Sequence, residues 1–251
     1  MELPLTLKLL DLGKDKKERI LDISSPKLLA LFLAINGYNI VASDLEDYFI
    51  SDFEVVAKKC SVPLETNCFD ATNIPYENES FDKIFSISVF EHIPDNGDIE
   101  AVKEVARILK PNGSFVMTLP AYKTYLEEWI KDESFYWRSK HREDGSVFFQ
   151  RRYTENTIRE RFEGLGLDIE EIIWIAEKPI KQPELNKSGR LDHNVYYIEG
   201  IPMVKLLKQL TAKLPLISYF LYNYYSYKTH YLTYSFDDDN IRQVAVKFTK
   251  L

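Results

Sequence analysis

Between Glu18 and Asp44 the chain reads ERILDISSPKLLALFLAINGYNIVASD, and this stretch leaves few folds open. Arg19–Ile23 is a short apolar run, the pattern of a strand buried on both faces. Ser24 and Ser25 read as turn and N-cap residues, and Pro26 suits a first helical position, where its missing N–H is no loss. Leu28, Leu29, Leu31, Phe32, Leu33 and Ile35 give the helix a wide apolar face, and Gly37 closes it. Tyr38–Ser43 is the next strand, with Asp44 at its end. A strand–helix–strand unit that aims a helix N-terminus at the carboxyl edge of a sheet is a nucleotide-type site.

The rest of the chain continues the alternation. Phe49–Lys59 has helical spacing, and Leu64–Phe69 is a third strand ending at Asp70. Phe81–Ser88 is a fourth strand, Ile99–Leu109 an amphipathic helix and Ser114–Leu119 a fifth strand. Strands and helices alternating at this pace predict a doubly wound, mostly parallel α/β sheet. We read residues 1–251 as a single domain, long enough to bury a full core.

Composition removes several classes. The formal charge of −7 argues against nucleic acid as a partner, because such binders carry a basic face. Cys60 and Cys68 have no ligand-like spacing, so we expect inert thiols in a reducing, cytoplasmic setting and no metal. The opening MELPLTLKLLDLGKDKKE lacks the pattern of a signal peptide, and no run of apolar residues is long enough to span a bilayer.

Two ligand classes use such a unit with a carboxylate after its second strand: the dinucleotides and S-adenosylmethionine. The dinucleotide fingerprint wants G-x-G-x-x-G after the first strand, and this chain has no glycine between Gly13 and Gly37. The stretch FDATNIPYENESFDKIFSISVFEHI, followed by RILKPNGSFVMTLP, resembles the class I S-adenosylmethionine-dependent methyltransferases of the broad small-molecule (type 11) group. YTENTIRERFEGLGLDIEEIIW is similar to that family's penultimate helix, turn and strand, with Leu167 where an aromatic is usual. Arg242–Phe248 would be the last, antiparallel strand. The resemblance implies a Rossmann-like sheet of seven strands, here with a helical, tyrosine-rich insertion at residues 176–240 before the last strand.

By matching position, the resemblance also implies roles. Asp22 and Ser24, Ser25 and Pro26 would form the turn at the methionine end of S-adenosylmethionine. Asp44 would take the ribose hydroxyls, with Leu45 under the adenine. Asp70 would accept from the adenine amino group beside Ala71, and Ser88 and Val89 would line the sulfonium. The departure is at the glycines: the family's G-x-G-x-G is here Ser24, Ser25, Pro26, Lys27 and Leu28. Serine and proline restrict the close approach and positive φ that glycine allows.

Methyl transfer from a sulfonium is an in-line displacement, in which proximity and alignment supply most of the acceleration. A base is needed only where the acceptor must lose a proton. His92, after the fourth strand, and His141, in the loop region after the fifth, are the candidates; either could equally hold a loop. Two segments would shape the acceptor pocket. Ala121–Arg152 mixes aromatics with basic residues, which suits a flat or lipid-like acceptor with an anionic group, or else an ordinary packed helix with a solvated basic edge. Ala176–Asn240 carries a helical stripe of Met203, Leu206, Leu207, Leu210 and Leu214, followed by a run dense in tyrosine. It reads first as a cap over the substrate cleft, with a peripheral membrane element or a subunit interface as the other readings. The partner we expect is therefore a small-molecule acceptor.

Overall fold

The computed structural model describes residues 2–131, 140–177, 230–236 and 240–250. Its element order begins with α1 (Glu2–Leu10), β1 (Arg19–Ile23), α2 (Leu28–Ile35), β2 (Asn39–Asp44), α3 (Asp47–Lys59), β3 (Glu65–Cys68) and β4 (Phe81–Ile87). A short 3-10 turn (Phe90–His92) leads to α4 (Gly97–Ile108) and the long β5 (Leu109–Pro120). Then come β6 (Leu126–Ile130), β7 (Val147–Arg152), α5 (Glu155–Phe162), β8 (Asp168–Glu177), β9 (His230–Thr233) and β10 (Ile241–Thr249).

The main sheet runs β3-β2-β1-β4-β5-β10-β8-β9. Strands β1 to β5 are mutually parallel, and β10 runs antiparallel between β5 and β8. The family pattern implied seven strands; the described sheet has eight, because β9 pairs antiparallel with the outer edge of β8. Successive residues of each central strand serve opposite faces. Phe115 and Met117 join the core under α4 and α5, while Val116 between them joins the core under α1, α2 and α3. Burying one such side chain fully is worth about 1.5–3 kcal/mol, so both faces must be covered for a strand this apolar.

Helix α2 ends in a hydrogen-bonded glycine turn. Gly37 has φ of 80°, its N–H donates to the Ala34 carbonyl, and the Tyr38 N–H donates to the Leu33 carbonyl. Helix α1 was not foreseen. It buries Leu5, Leu9 and Leu10 against the sheet and carries its N-terminus to the ends of β4 and β5.

The region after β5 corrects the second of its two readings, a packed helix: its described residues form strands. Strands β6 and β7 form an antiparallel hairpin that leaves the sheet at Ala121 and returns at Tyr153, where these two residues pair. Inside it, Glu128 accepts from Arg152 Nε at 2.8 Å and from Gln150 Nε2 at 2.6 Å. Arg151 donates to the carbonyls of Ile93 and Asp95. The two arginines therefore form neither a solvated basic edge nor a free anion-binding pair; Arg151 is 1% exposed and Arg152 3%. Cys60 and Cys68 are exposed, and the Cys68 thiol donates to the Leu45 carbonyl at 3.3 Å.

Residues 178–229, including the methionine–leucine stripe and the tyrosine-dense run, lie outside the described residues. The described flanks place the segment's exit and return, however. Strand β8 ends at Glu177, paired with His230 at the start of β9, and both lie at the edge where β5 ends and β10 begins.

Candidate active site

The order β3-β2-β1-β4-β5 reverses direction between β1 and β4, and the crevice at the carboxyl ends of those strands is where open α/β sheets bind ligands. The residues expected at the site are all at this edge except His141. Asp22 is the last but one residue of β1 and Asp44 ends β2, with Leu45 behind it. Asp70 and Ala71 follow β3, and Ser88 and Val89 follow β4.

The turn after β1 keeps a glycine-like shape without glycine. Ser24 has φ of 54°, in the left-handed region. For a side chain bearing Cβ this is strained, and it persists only where the surroundings over-determine it. Here they do. The Ser24 N–H donates to the Ser43 carbonyl, and the Ser25 N–H donates to Asp22 Oδ1 at 3.1 Å. Ser25 is no helix cap: its hydroxyl accepts from the Ile87 N–H at 2.9 Å, tying the turn to the end of β4. Helix α2 accordingly begins only at Leu28, beyond Pro26. We expect Ser24→Gly to relieve the strain and raise stability by about 1 kcal/mol, read as a rise in melting temperature, without loss of ligand affinity. A fall in affinity would mean that the serine hydroxyl itself touches the ligand.

Asp22 is fully buried, and its Oδ2 has no hydrogen-bond partner. Burial pushes its pKa up to about 7, against the pull of Lys27 and the Ser25 hydrogen bonds. Such an orphaned buried oxygen suits a ligand that brings a donor or a positive charge. Asp44 is held differently: its Oδ1 accepts from the Glu46 N–H at 3.3 Å, and its Oδ2 pairs with Lys27 Nζ at 2.9 Å. Asp70 is exposed, and its Oδ1 accepts from both the N–H and the hydroxyl of Thr72.

At the β4 end, Ser88 also has a left-handed φ, 52°. Its hydroxyl donates to Glu2 Oε1 at 2.8 Å, and the Thr118 hydroxyl donates to the same oxygen at 2.7 Å. Sequence reasoning missed Glu2, which the docking of α1 brings here, and Thr118, which the pairing of β5 with β4 sets beside Ile87. Glu91 is 1% exposed with Oε2 unpartnered; burial, reinforced by Glu2, holds its pKa well above the usual carboxylate range. His92 Nδ1 lies 2.7 Å from the Phe149 carbonyl, which can only accept. The proton is therefore on Nδ1 and the basic lone pair on Nε2, 3.8 Å from Glu91 Oε1. Burial lowers the His92 pKa, so the neutral, basic ring prevails near pH 7.

His141 stands apart. It is exposed at the outer end of the hairpin, paired across from Val147 where β7 begins. The other end of β7 is the one that meets the sheet.

A mixed sheet with β10 antiparallel beside β5, and carboxylates at the ends of β1, β2 and β3, defines the class I methyltransferase fold. Residues 21–117 match the family model described as a methyltransferase domain. Over 77 residues it is 31% identical to a tRNA (carboxymethyluridine(34)-5-O)-methyltransferase of Arabidopsis thaliana, an alignment covering 24% of this chain and 19% of that protein. The chain thus spans about a fifth of the length of this curated relative. Among solved structures, it resembles an S-adenosylmethionine-dependent methyltransferase of Methanosarcina mazei with a TM-score of 0.54 at 14% identity, covering 96% of this chain and 99% of that one. It resembles the (4+2)-cyclase SpnF with a TM-score of 0.58 at 14% identity, covering 99% of this chain and 79% of that one. Likenesses at this identity show the fold.

Among the described residues no helix is long and apolar enough to cross a membrane, and no cluster of His, Cys, Asp or Glu has the make-up of a metal site.

Proposed function

We propose that the protein transfers a methyl group from S-adenosylmethionine to a small-molecule or lipid-like acceptor. The observation that carries this reading is the turn after β1: it keeps a glycine-like φ at Ser24 beside a buried carboxylate whose Oδ2 lacks a partner. A scaffold that had abandoned its ligand would have no use for either.

The residues present suit this cofactor. Asp22 would face its methionine end, Asp44 would accept from the ribose hydroxyls over Leu45, and Asp70 and Ala71 would meet the adenine. Ser24, Ser25 and Pro26 would shape the turn, and Ser88 and Val89 would lie beside the sulfonium. When bound, S-adenosylmethionine supplies an electrophilic methyl group that leaves with a neutral thioether behind it. The protein's part is to hold the acceptor's nucleophilic atom in line and to exclude water. Where that atom carries a proton, His92 would be the base, through Nε2, since Nδ1 is committed to Phe149.

The inward pairing of Arg151 and Arg152 takes those two cations away from an anionic acceptor group. The net charge of −7 likewise weighs against a polyanionic acceptor such as RNA. The second reading, a binding protein or an enzyme of other chemistry on the same fold, is favoured by the likeness to a cyclase, since fold alone does not set function.

The acceptor side rests on residues 176–240. Because Glu177 and His230 are paired across β8 and β9, residues 178–229 can be excised and the strands joined by an Asn-Gly turn. We expect the excised protein to bind the cofactor within about tenfold of the parent and to lose methyl transfer. An active deletion variant that no longer binds liposomes would turn the reading to a membrane element. An active one that is monomeric where the parent is dimeric would turn it to an interface.

A further inference from the structure

Lys27 sits inside the turn that the family fills with small residues, and its ammonium is fully engaged. It donates to the Ser43 carbonyl at 2.7 Å and to the Ser25 carbonyl at 3.1 Å, and it pairs with Asp44 Oδ2 at 2.9 Å. A lysine ammonium has three donors, and here three acceptors take them. The two side chains of the ion pair are only 16% and 14% exposed, so solvent and salt screen it less than a surface pair. Its acceptors join the turn after β1 to the end of β2, the two segments that would clasp a ligand between them.

The same cation, paired with Asp44, also acts on the charge of Asp22. Lys27 lowers the pKa of Asp22, whereas Asp44 raises it. Without Lys27 the site would hold neighbouring carboxylates with no counter-ion in the turn. Asp44 would also lose the contact that fixes one of its oxygens, with only the 3.3 Å bond from Glu46 left to orient it.

Building on the methyltransferase reading, we propose that Lys27 is the positioning residue of the cofactor site, replacing the glycine loop by clamping the turn to β2 and orienting Asp44 toward a ribose cis-diol. Lys27 acts through Asp44 and donates nothing to the ligand itself, because its protons are spent on protein acceptors. The remaining lone pairs of the Asp44 carboxylate stay open to two hydroxyls.

Titration calorimetry with S-adenosylhomocysteine tests this on wild type, Lys27→Met, Lys27→Arg, Asp44→Asn and the Lys27→Met/Asp44→Asn pair, with melting temperature as a check on folding. Lys27→Met should weaken binding about tenfold or more, and Lys27→Arg should recover part of the loss. In the Asp44→Asn background the effect of Lys27→Met should shrink to about twofold, the mark of residues acting as one unit. Additive losses would overturn the proposal in favour of a purely structural role in the turn. Tighter binding by Lys27→Met would overturn it too, by showing that Lys27 competes with the ligand for Asp44. Should Lys27→Met fail to fold, full affinity in Lys27→Arg supports the proposal, and a loss equal to that of Asp44→Asn overturns it. Wild type that binds no S-adenosylhomocysteine would defeat the methyltransferase reading, and this inference with it. Wild-type binding with an indifferent Lys27→Met would defeat this inference alone.

Discussion

Arg152→Met should destabilise the protein by about 3–5 kcal/mol, because it strands a buried carboxylate. Glu128 is fully buried, and Arg152 is the cation nearest it, at 2.8 Å. Gln150 would remain as a neutral donor at 2.6 Å, too little to replace a charge in a site closed to water. Domains of this kind are stable by only about 5–15 kcal/mol in all, so the loss should lower the melting temperature by about 10 °C or more. The effect should spread past the hairpin. Glu128 also favours the protonated form of His92, and the ring of His92 rests on Phe149 of β7, with centroids 5.3 Å apart. Adding Glu128→Gln should recover most of the stability, since the uncompensated charge is then gone. A double variant as unstable as the single one would show that packing, not charge, is what Arg152 contributes.

Asp22→Asn should stabilise the protein at alkaline pH and destabilise it at acid pH. The folded-state pKa, about 7, lies above the ordinary 3.8. The neutral carboxyl is thus the form that folding prefers. Its stabilising effect is complete below pH 3.8 and is lost as pH rises through 7. A shift of that size is on the order of 4 kcal/mol above pH 7. An asparagine keeps the acceptor for the Ser25 N–H but leaves an amide where Oδ2 now has no partner, at a cost of about 1–3 kcal/mol. The net is then a gain of about 1–3 kcal/mol at pH 8, turning into a loss of about 1–3 kcal/mol towards pH 4. Denaturant titrations of both proteins across that range would show it. A gain independent of pH would mean that Asp22 does not titrate in this window. On the proposed reading the same substitution should weaken cofactor binding, which calorimetry would show.

What could be read from the sequence was local. The βαβ unit and the carboxylates Asp22, Asp44 and Asp70 at three strand ends follow from apolar runs and the residues that close them. Helix boundaries shifted by a residue or two, as at α4, expected from Ile99 and found from Gly97. What could not be read depends on partners distant in the chain. Helix α1 shows its function only when Glu2 meets Ser88 and Thr118. The hairpin hid because its inward positions, Glu128, Gln150 and Arg152, are polar, and binary patterning assigns such residues to solvent. The sequence shows the missing glycines but not what stands in their place: Ser24 takes a left-handed conformation, and Ser25 and Lys27 tie the turn to both neighbouring strands.

The central claim is that the edge formed by Asp22, Asp44 and Asp70 holds S-adenosylmethionine. Calorimetry of the purified protein with S-adenosylmethionine and its demethylated product measures this directly, with Asp44→Ala as the control. Wild type should bind, and Asp44→Ala should bind about ten- to a hundredfold more weakly, the loss of one charge-assisted acceptor. No binding by wild type, together with tight binding of NAD, would contradict it.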